Sequence, residues 1–291
     1  MAKARAITKR RKAVRNIRKI TRTMQLIASA RWPKALKRAQ ASQPYTRGIT
    51  EMIETLSGQA IDHPLLKPNA GCSQALLLTL TSNRGLCGSY NSAVLRTALE
   101  QYRALQAAGQ QVIYEVVGKK GVNYAKFLKT PIAFQMTDIE DKVEYARVAE
   151  MAERYMQMYA EGKIASVDVV YMRFVSAGVQ KPTIVRLLPI EPPKADSKST
   201  AKPKTAVPFE FSPAPDQLLA KLIPETVKIR LYQYFNDSIV SEQVARMIAM
   251  KSATDAAADM IKFLTREYNR ARQSQITMEL ADIVGGAEAV K

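Results

Sequence analysis

Histidine is nearly absent from this chain, with His63 the single instance, and Cys72 and Cys87 are the only cysteines. No CxxC pair occurs, so a structural zinc site lacks its ligands and a disulfide scaffold lacks thiols. Sparse cysteine is most simply read as a reducing compartment. No uncharged apolar run reaches about 18 residues, which argues against a membrane-spanning helix. Acidic residues are missing from the first 50 positions, and the first carboxylate is Glu51. Those 50 positions hold 15 Lys or Arg, whereas the rest of the chain holds 29 basic and 26 acidic residues. The net charge of +18 is therefore a basic arm on a nearly neutral body. Such an arm suits a transit peptide, a nucleic-acid arm, a membrane-surface helix or a helix facing an acidic protein.

What is present is ordinary in bulk. The 291 residues are 47% apolar and 24% charged, enough for one or two domains with a real core. Residues 3–60 read as one long helix. Ala13, Ile17, Ile20, Met24 and Ile27 step by four and three, a narrow seam suited to a coiled coil. At 1.5 Å per residue the helix would be about 85 Å long, so it must project from any compact body. Pro33 and Pro44 are expected to kink or break it.

Residues 61–74 read as a linker. Strands are then expected at Ala75–Thr81, Gln111–Val117, Ile132–Met136, Val167–Val175 and Thr183–Ile190. Helices are expected at Asn91–Ala107, Lys119–Lys129 and Lys142–Glu161. That alternation predicts an α/β domain with right-handed crossovers over 75–190, its last two strands able to pair as a hairpin. Residues 191–208, rich in Pro, Lys, Ser and Thr, read as a flexible loop.

A second long helix is expected over 216–287. It becomes continuous after Pro224 and stops at Gly285-Gly286. Its seam recurs every seven residues through Met247/Met250, Thr254/Ala257, Ile261/Leu264, Tyr268/Ala271 and Gln275/Met278. Two seamed helices at opposite ends of one chain most economically bury their stripes on each other. The expected architecture is an α/β fold in which the N- and C-terminal helices, 1–60 and 216–287, form a long antiparallel coiled coil around an inserted Rossmann-like domain.

Three segments carry a family resemblance: Ile17–Ala30 (IRKITRTMQLIASA), Ser82–Gly88 (SNRGLCG), and Ser241–Met250 with Tyr268–Gly286 (SEQVARMIAM and YNRARQSQITMELADIVGG). Together they resemble the gamma subunit of the rotary F-type ATP synthase over the whole chain. The resemblance implies a non-catalytic rotor shaft that needs no cofactor or metal. Its coiled coil would stand within three alpha and three beta subunits, and its foot would meet the epsilon subunit and the c-ring. It also implies a peripheral place on the cytoplasmic side of a bacterial inner membrane. Residue by residue, it implies beta-subunit contacts at Arg22, Met24, Arg272, Gln273 and Thr277. Foot contacts toward epsilon and the c-ring fall at Arg84, Cys87 and Phe211. Gln25 stands where the family usually has lysine, and the paired cysteines of chloroplast versions are absent.

The residues also support blander readings. The arm offers only Trp32 and Tyr45 for stacking on bases, which weakens a nucleic-acid reading. Its thin seam does not suit a membrane surface. The stretch Ser82–Gly88 follows a strand and precedes a helix, where phosphate loops occur, but RGLCG matches neither G-x-G-x-x-G nor the P-loop. The alternative to a shaft is an α/β phosphate-handling enzyme with a coiled-coil oligomerisation arm. It would need converging acid, base or nucleophile groups on the loops after the strands.

Overall fold

The computed structural model describes residues 2–56, 63–69, 71–139, 141–190 and 215–288. Helix α1 spans Ala2–Leu56. A short 3-10 turn, Pro64–Leu66, precedes β1 (Gln74–Leu80), α2 (Tyr90–Ala107), β2 (Gln111–Val117), α3 (Lys119–Phe127), β3 (Phe134–Met136), α4 (Tyr145–Ala160), β4 (Ser166–Ser176), β5 (Val179–Leu188) and α5 (Pro215–Glu288). The expected 191–208 loop lies outside the described residues. No helix among the described residues is long and apolar enough to cross a membrane.

Three expected helix breaks do not occur. Helix α1 runs through Pro33 and Pro44, and α5 runs through Pro224. Pro33 and Pro44 are exposed, so the carbonyls that lose an intrahelical partner at these points can turn to solvent. Helix α5 also continues through Gly285 and Gly286 to Glu288, where the sequence suggested a stop.

The chain forms two compact units: residues 1–30 with 246–291, and residues 31–245. In the first, α1 and α5 pair antiparallel, since Thr21 meets Thr254 and the Arg11 guanidinium lies over the Tyr268 ring. On α5 the sevenfold pattern marks the seam well. Met250, Thr254, Ala257 and Leu264 are buried, and Met247, Ile261, Tyr268, Ala271 and Gln275 are half-buried. Met278 breaks the pattern, being 65% exposed.

On α1 the expected seam is in the wrong register. Ile17 and Ile20 are 52% and 60% exposed, Ala13 and Ile27 are exposed too, and Met24 is half-buried. The face that packs is Ala4, Ile7, Arg11, Val14, Thr21 and Ala28. It is less apolar than the stripe beside it, but its small residues allow close approach, and its polar members find partners on α5.

In the second unit the sheet order is β3-β2-β1-β4-β5, with β1, β2, β3 and β4 parallel and β5 antiparallel to β4. Strand β1 is buried on both faces, as a central parallel strand must be. Pro182 sits within β5 opposite Met172, which an edge strand tolerates. One face packs against α2 and α3 through Ala75, Leu77, Val94, Ala98 and Val170. The other packs against α4 and parts of α1 and α5. There Leu76, Leu78, Val167 and Val169 meet Tyr155, Ala35, Ala39, Val227 and Phe235. Buried charges are paired. Glu115 accepts from Arg154 at 2.6 Å and Tyr155 at 2.7 Å, and Asp168 accepts from Arg186 and Gln101, each at 2.9 Å.

Candidate partner-contact surfaces

The two-helix unit leaves much apolar surface open. Ile17, Ile20, Leu26 and Ile27 on α1, and Met260 and Phe263 on α5, all face solvent. They lie among exposed basic residues that include Lys9, Arg10, Lys12, Arg15, Arg18 and Lys19. Single exposed apolar residues need no explanation, but a series along one rod marks an interaction surface. The far end of α5 is barer. Ala4 and Ile7 lie by Ala271, Gln275 and Met278, so the roughly ten residues beyond Met278 extend past the described start of α1 by about 15 Å. That overhang carries Leu280, Ile283 and Val284 exposed.

The residues singled out for beta contact fall at two levels of this rod. Arg22 is exposed and donates from Nη1 to Gln25 Oε1 at 3.0 Å, while Met24 is half-buried at the seam edge. Arg272, Gln273 and Thr277 are exposed near the other end of the pairing. The Thr277 hydroxyl donates to the Gln273 carbonyl at 3.0 Å, so these two share a face. Because Thr21 lies opposite Thr254, Arg22 is separated from Arg272 by about 19 residues, about 28 Å along the rod.

The foot residues behave differently. Arg84 is exposed, and Cys87 is 2% exposed in the core shared by β1, α2 and α3. Cys87 therefore shapes the loop from beneath rather than meeting a partner through its own side chain. Its sulfur accepts from Asn91 Nδ2 at 3.1 Å. Asn91 Oδ1 in turn accepts from the Ser82 amide at 3.0 Å, and Ser82 Oγ donates to the Arg84 carbonyl at 2.7 Å. Phe211 lies outside the described residues.

The residue this framework displays is one that sequence reasoning missed. Leu86 holds a left-handed φ of 64° and is 59% exposed. A leucine in that region is strained, and strain held by a hydrogen-bonded loop makes it a candidate contact position. Gly88 takes the positive φ its residue type allows, at 58°, and nothing in the pattern RGLCG assigns one to the leucine as well.

The backbone donors that could bind a phosphate at the ends of β1 and β2 are already used. Gly118 lies so close to Thr81 that a Cβ would stand 2.3 Å from the Thr81 carbonyl oxygen. The first amides of α3 are already taken: Lys119 by Asn83 Oδ1 at 2.9 Å, Lys120 by the Ser82 carbonyl at 3.1 Å, Gly121 by Thr81 Oγ1 at 2.9 Å. The helix start that would cradle an anion is thus plugged by the chain's own loop.

The comparisons agree with this geometry. The family model described as ATP synthase matches residues 3–290. The ATP synthase gamma chain of Rhodopirellula baltica is 46% identical over 295 residues, covering 100% of both chains. The chain belongs to the ATP synthase gamma-chain family. The gamma chain of Leptospira biflexa is 37% identical over 292 residues, again covering 100% of both. Among solved structures, a chain of the Euglena gracilis mitochondrial ATP synthase (OSCP/F1/c-ring, rotational state 3) aligns with a TM-score of 0.70 at 17% identity. It covers 99% of this chain and 95% of that one. A chain from the central stalk and c-ring of the Tetrahymena thermophila enzyme aligns at 0.57 and 18%, covering 80% and 99%. At those identities the structures speak for the fold. The phosphate-handling enzyme finds no support in any of these relatives.

Proposed function

We propose that this chain is the central rotor shaft of a proton-translocating ATP synthase, itself without bond chemistry. Its coiled coil would turn inside a hexamer of alpha and beta subunits, its foot would rest on the epsilon subunit and the c-ring, and the complex would hold it at the cytoplasmic side of a bacterial inner membrane. The observation that carries this reading is the antiparallel pair of terminal helices, whose outer surface is both basic and apolar, in a gamma-family chain.

A shaft works by differential contact. A rod whose sides differ presents a different face to each surrounding subunit, and can favour a different state of each only through unequal interaction energies. The exposed isoleucines suit a sleeve that excludes water. The lysines and arginines suit acidic partner loops, where opposite potential orients without tight locking. Arg22 and Met24 at one level, and Arg272, Gln273 and Thr277 at the other, are the proposed beta contacts. Arg84, with Leu86 beside it, is proposed for the foot.

Purification separates the two classes of function. Mixed with alpha and beta subunits, the chain should co-elute with them, and alone it should not hydrolyse ATP. Turnover by the isolated chain would contradict a shaft and favour an enzyme.

A further inference from the structure

Asp141 lies between β3 and α4, and each of its carboxylate oxygens goes to a different long helix. Oδ2 accepts from Arg31 Nη1 of α1, and Oδ1 accepts from Gln243 Nε2 of α5 at 2.8 Å. The backbone carbonyl of the same residue accepts from Arg38 Nη2 at 2.7 Å. Arg31 and Arg38 stand seven residues apart, two turns along one face of α1. Arg31 is also the first residue of the second unit on α1, and Gln243 lies two residues before α5 leaves that unit at Ala245. One acidic residue of the α/β unit thus grips both helices beside the points where each passes into the other unit.

The Arg31 pair is a weak source of folding stability, and of the three bonds only that to the buried Gln243 is shielded from water. The Arg31 and Asp141 side chains are 39% and 40% exposed, and half-exposed ion pairs add little to stability. Directional bonds matter more for rotation of a helix about its own axis. Beside Arg31 and Arg38, the packing face of α1 is built from the buried Ala35 and Ala39 with the half-buried Trp32 and Leu36 against the same core, so packing supplies part of that resistance. Two bonds from α1 and one from α5 converge on Asp141 and add directional resistance to that packing.

We propose that Asp141, with Arg31, Arg38 and Gln243, is the joint that passes torque from the α/β unit to both shaft helices. It is a positioning residue for coupling, and the proposal rests on the shaft reading above.

The test is single-molecule rotation in the assembled complex, with torsional stiffness read from the angular spread of a bead on the shaft. It is combined with coupled ATP synthesis in vesicles and with melting of the isolated chain. Asp141→Ala should lower stiffness about twofold or more and reduce synthesis more than hydrolysis. Its melting temperature should shift by less than about 5 °C. The exchange Arg31→Asp with Asp141→Arg should restore stiffness, because the Gln243 amide can also accept from a guanidinium. If Asp141→Ala proves poorly folded, Gln243→Leu removes the α5 arm alone and must also lower stiffness, by less than loss of both carboxylate bonds. Unchanged stiffness in the folded variants, or no recovery in the exchange, overturns the proposal. A wild-type chain that enters the complex without rotating overturns the shaft reading, and this joint with it.

Discussion

The hydroxyls of Thr21 and Thr254 meet at 2.8 Å in the buried seam between the terminal helices. Thr21 Oγ1 also reaches the Arg18 carbonyl at 3.1 Å, and Thr254 Oγ1 the Met250 carbonyl at 2.7 Å. A polar pair amid apolar seam positions is matched in only one register of the two helices, so it fixes their alignment. Replacing Thr254 by valine leaves Thr21 with its local carbonyl and should cost about 1 kcal/mol. Replacing both threonines by valine should be nearly neutral, because no buried hydroxyl is then stranded. Urea unfolding of the two single variants and the double variant measures the coupling, and strict additivity would contradict a bond between them.

Arg272 and Gln273 are exposed, and neither side chain packs in the seam. Changing both to alanine should alter folding stability by no more than about 0.5 kcal/mol. Coupled ATP synthesis in reconstituted vesicles should nevertheless fall severalfold. Normal synthesis by the double variant would remove these residues from the proposed beta contacts.

Leu86→Gly relieves a left-handed backbone strain of about 1–2 kcal/mol, partly offset by the greater freedom of glycine in the unfolded chain. The isolated chain should melt no lower than the wild type. Assembly with the foot partners should weaken, because the exposed side chain is gone. Tighter or unchanged assembly, read by titration calorimetry against the epsilon subunit, would show that Leu86 is not a contact.

Asp237 on α5 has its carboxyl pushed up to about 6 by burial, against a smaller opposing pull from Arg173. The folded chain therefore holds this proton more tightly than the unfolded chain does. The resulting stability is complete below about pH 4 and is lost as pH rises through 6. Asp237→Asn stays neutral throughout. It should stabilise the chain by about 1–2 kcal/mol at pH 7.5 and leave it unchanged near pH 4. Equal effects at both pH values in urea unfolding would contradict the burial of a charged carboxylate.

The parts that were readable from sequence are those where one signal dominates. The α5 seam was visible because its apolar positions recur over five heptads with few competitors. The strands of the α/β unit were visible because a parallel sheet buried on both faces needs unbroken runs such as Leu76–Leu80. The α1 seam differs from its expected register because hydrophobicity does not say which apolar stripe meets the partner helix and which stays exposed. Ile17 and Ile20 outweigh Ala28 and Thr21 on any apolar scale, yet the latter pack and the former remain exposed. The prolines misled because a long helix held by neighbours on both sides of Pro33 tolerates the loss of single bonds. Asp141 could not have been found, since its partners lie 110 and 102 residues away in the chain. Cys87 was placed at a contact by resemblance, and only burial shows that it supports the loop from below.

Rotation itself tests the central claim most directly. A bead attached to this chain, in alpha and beta subunits fixed to a surface, should turn stepwise in one direction when ATP is added and stop when it is removed. A bead that stays still or merely jitters while the same complex hydrolyses ATP would contradict the shaft.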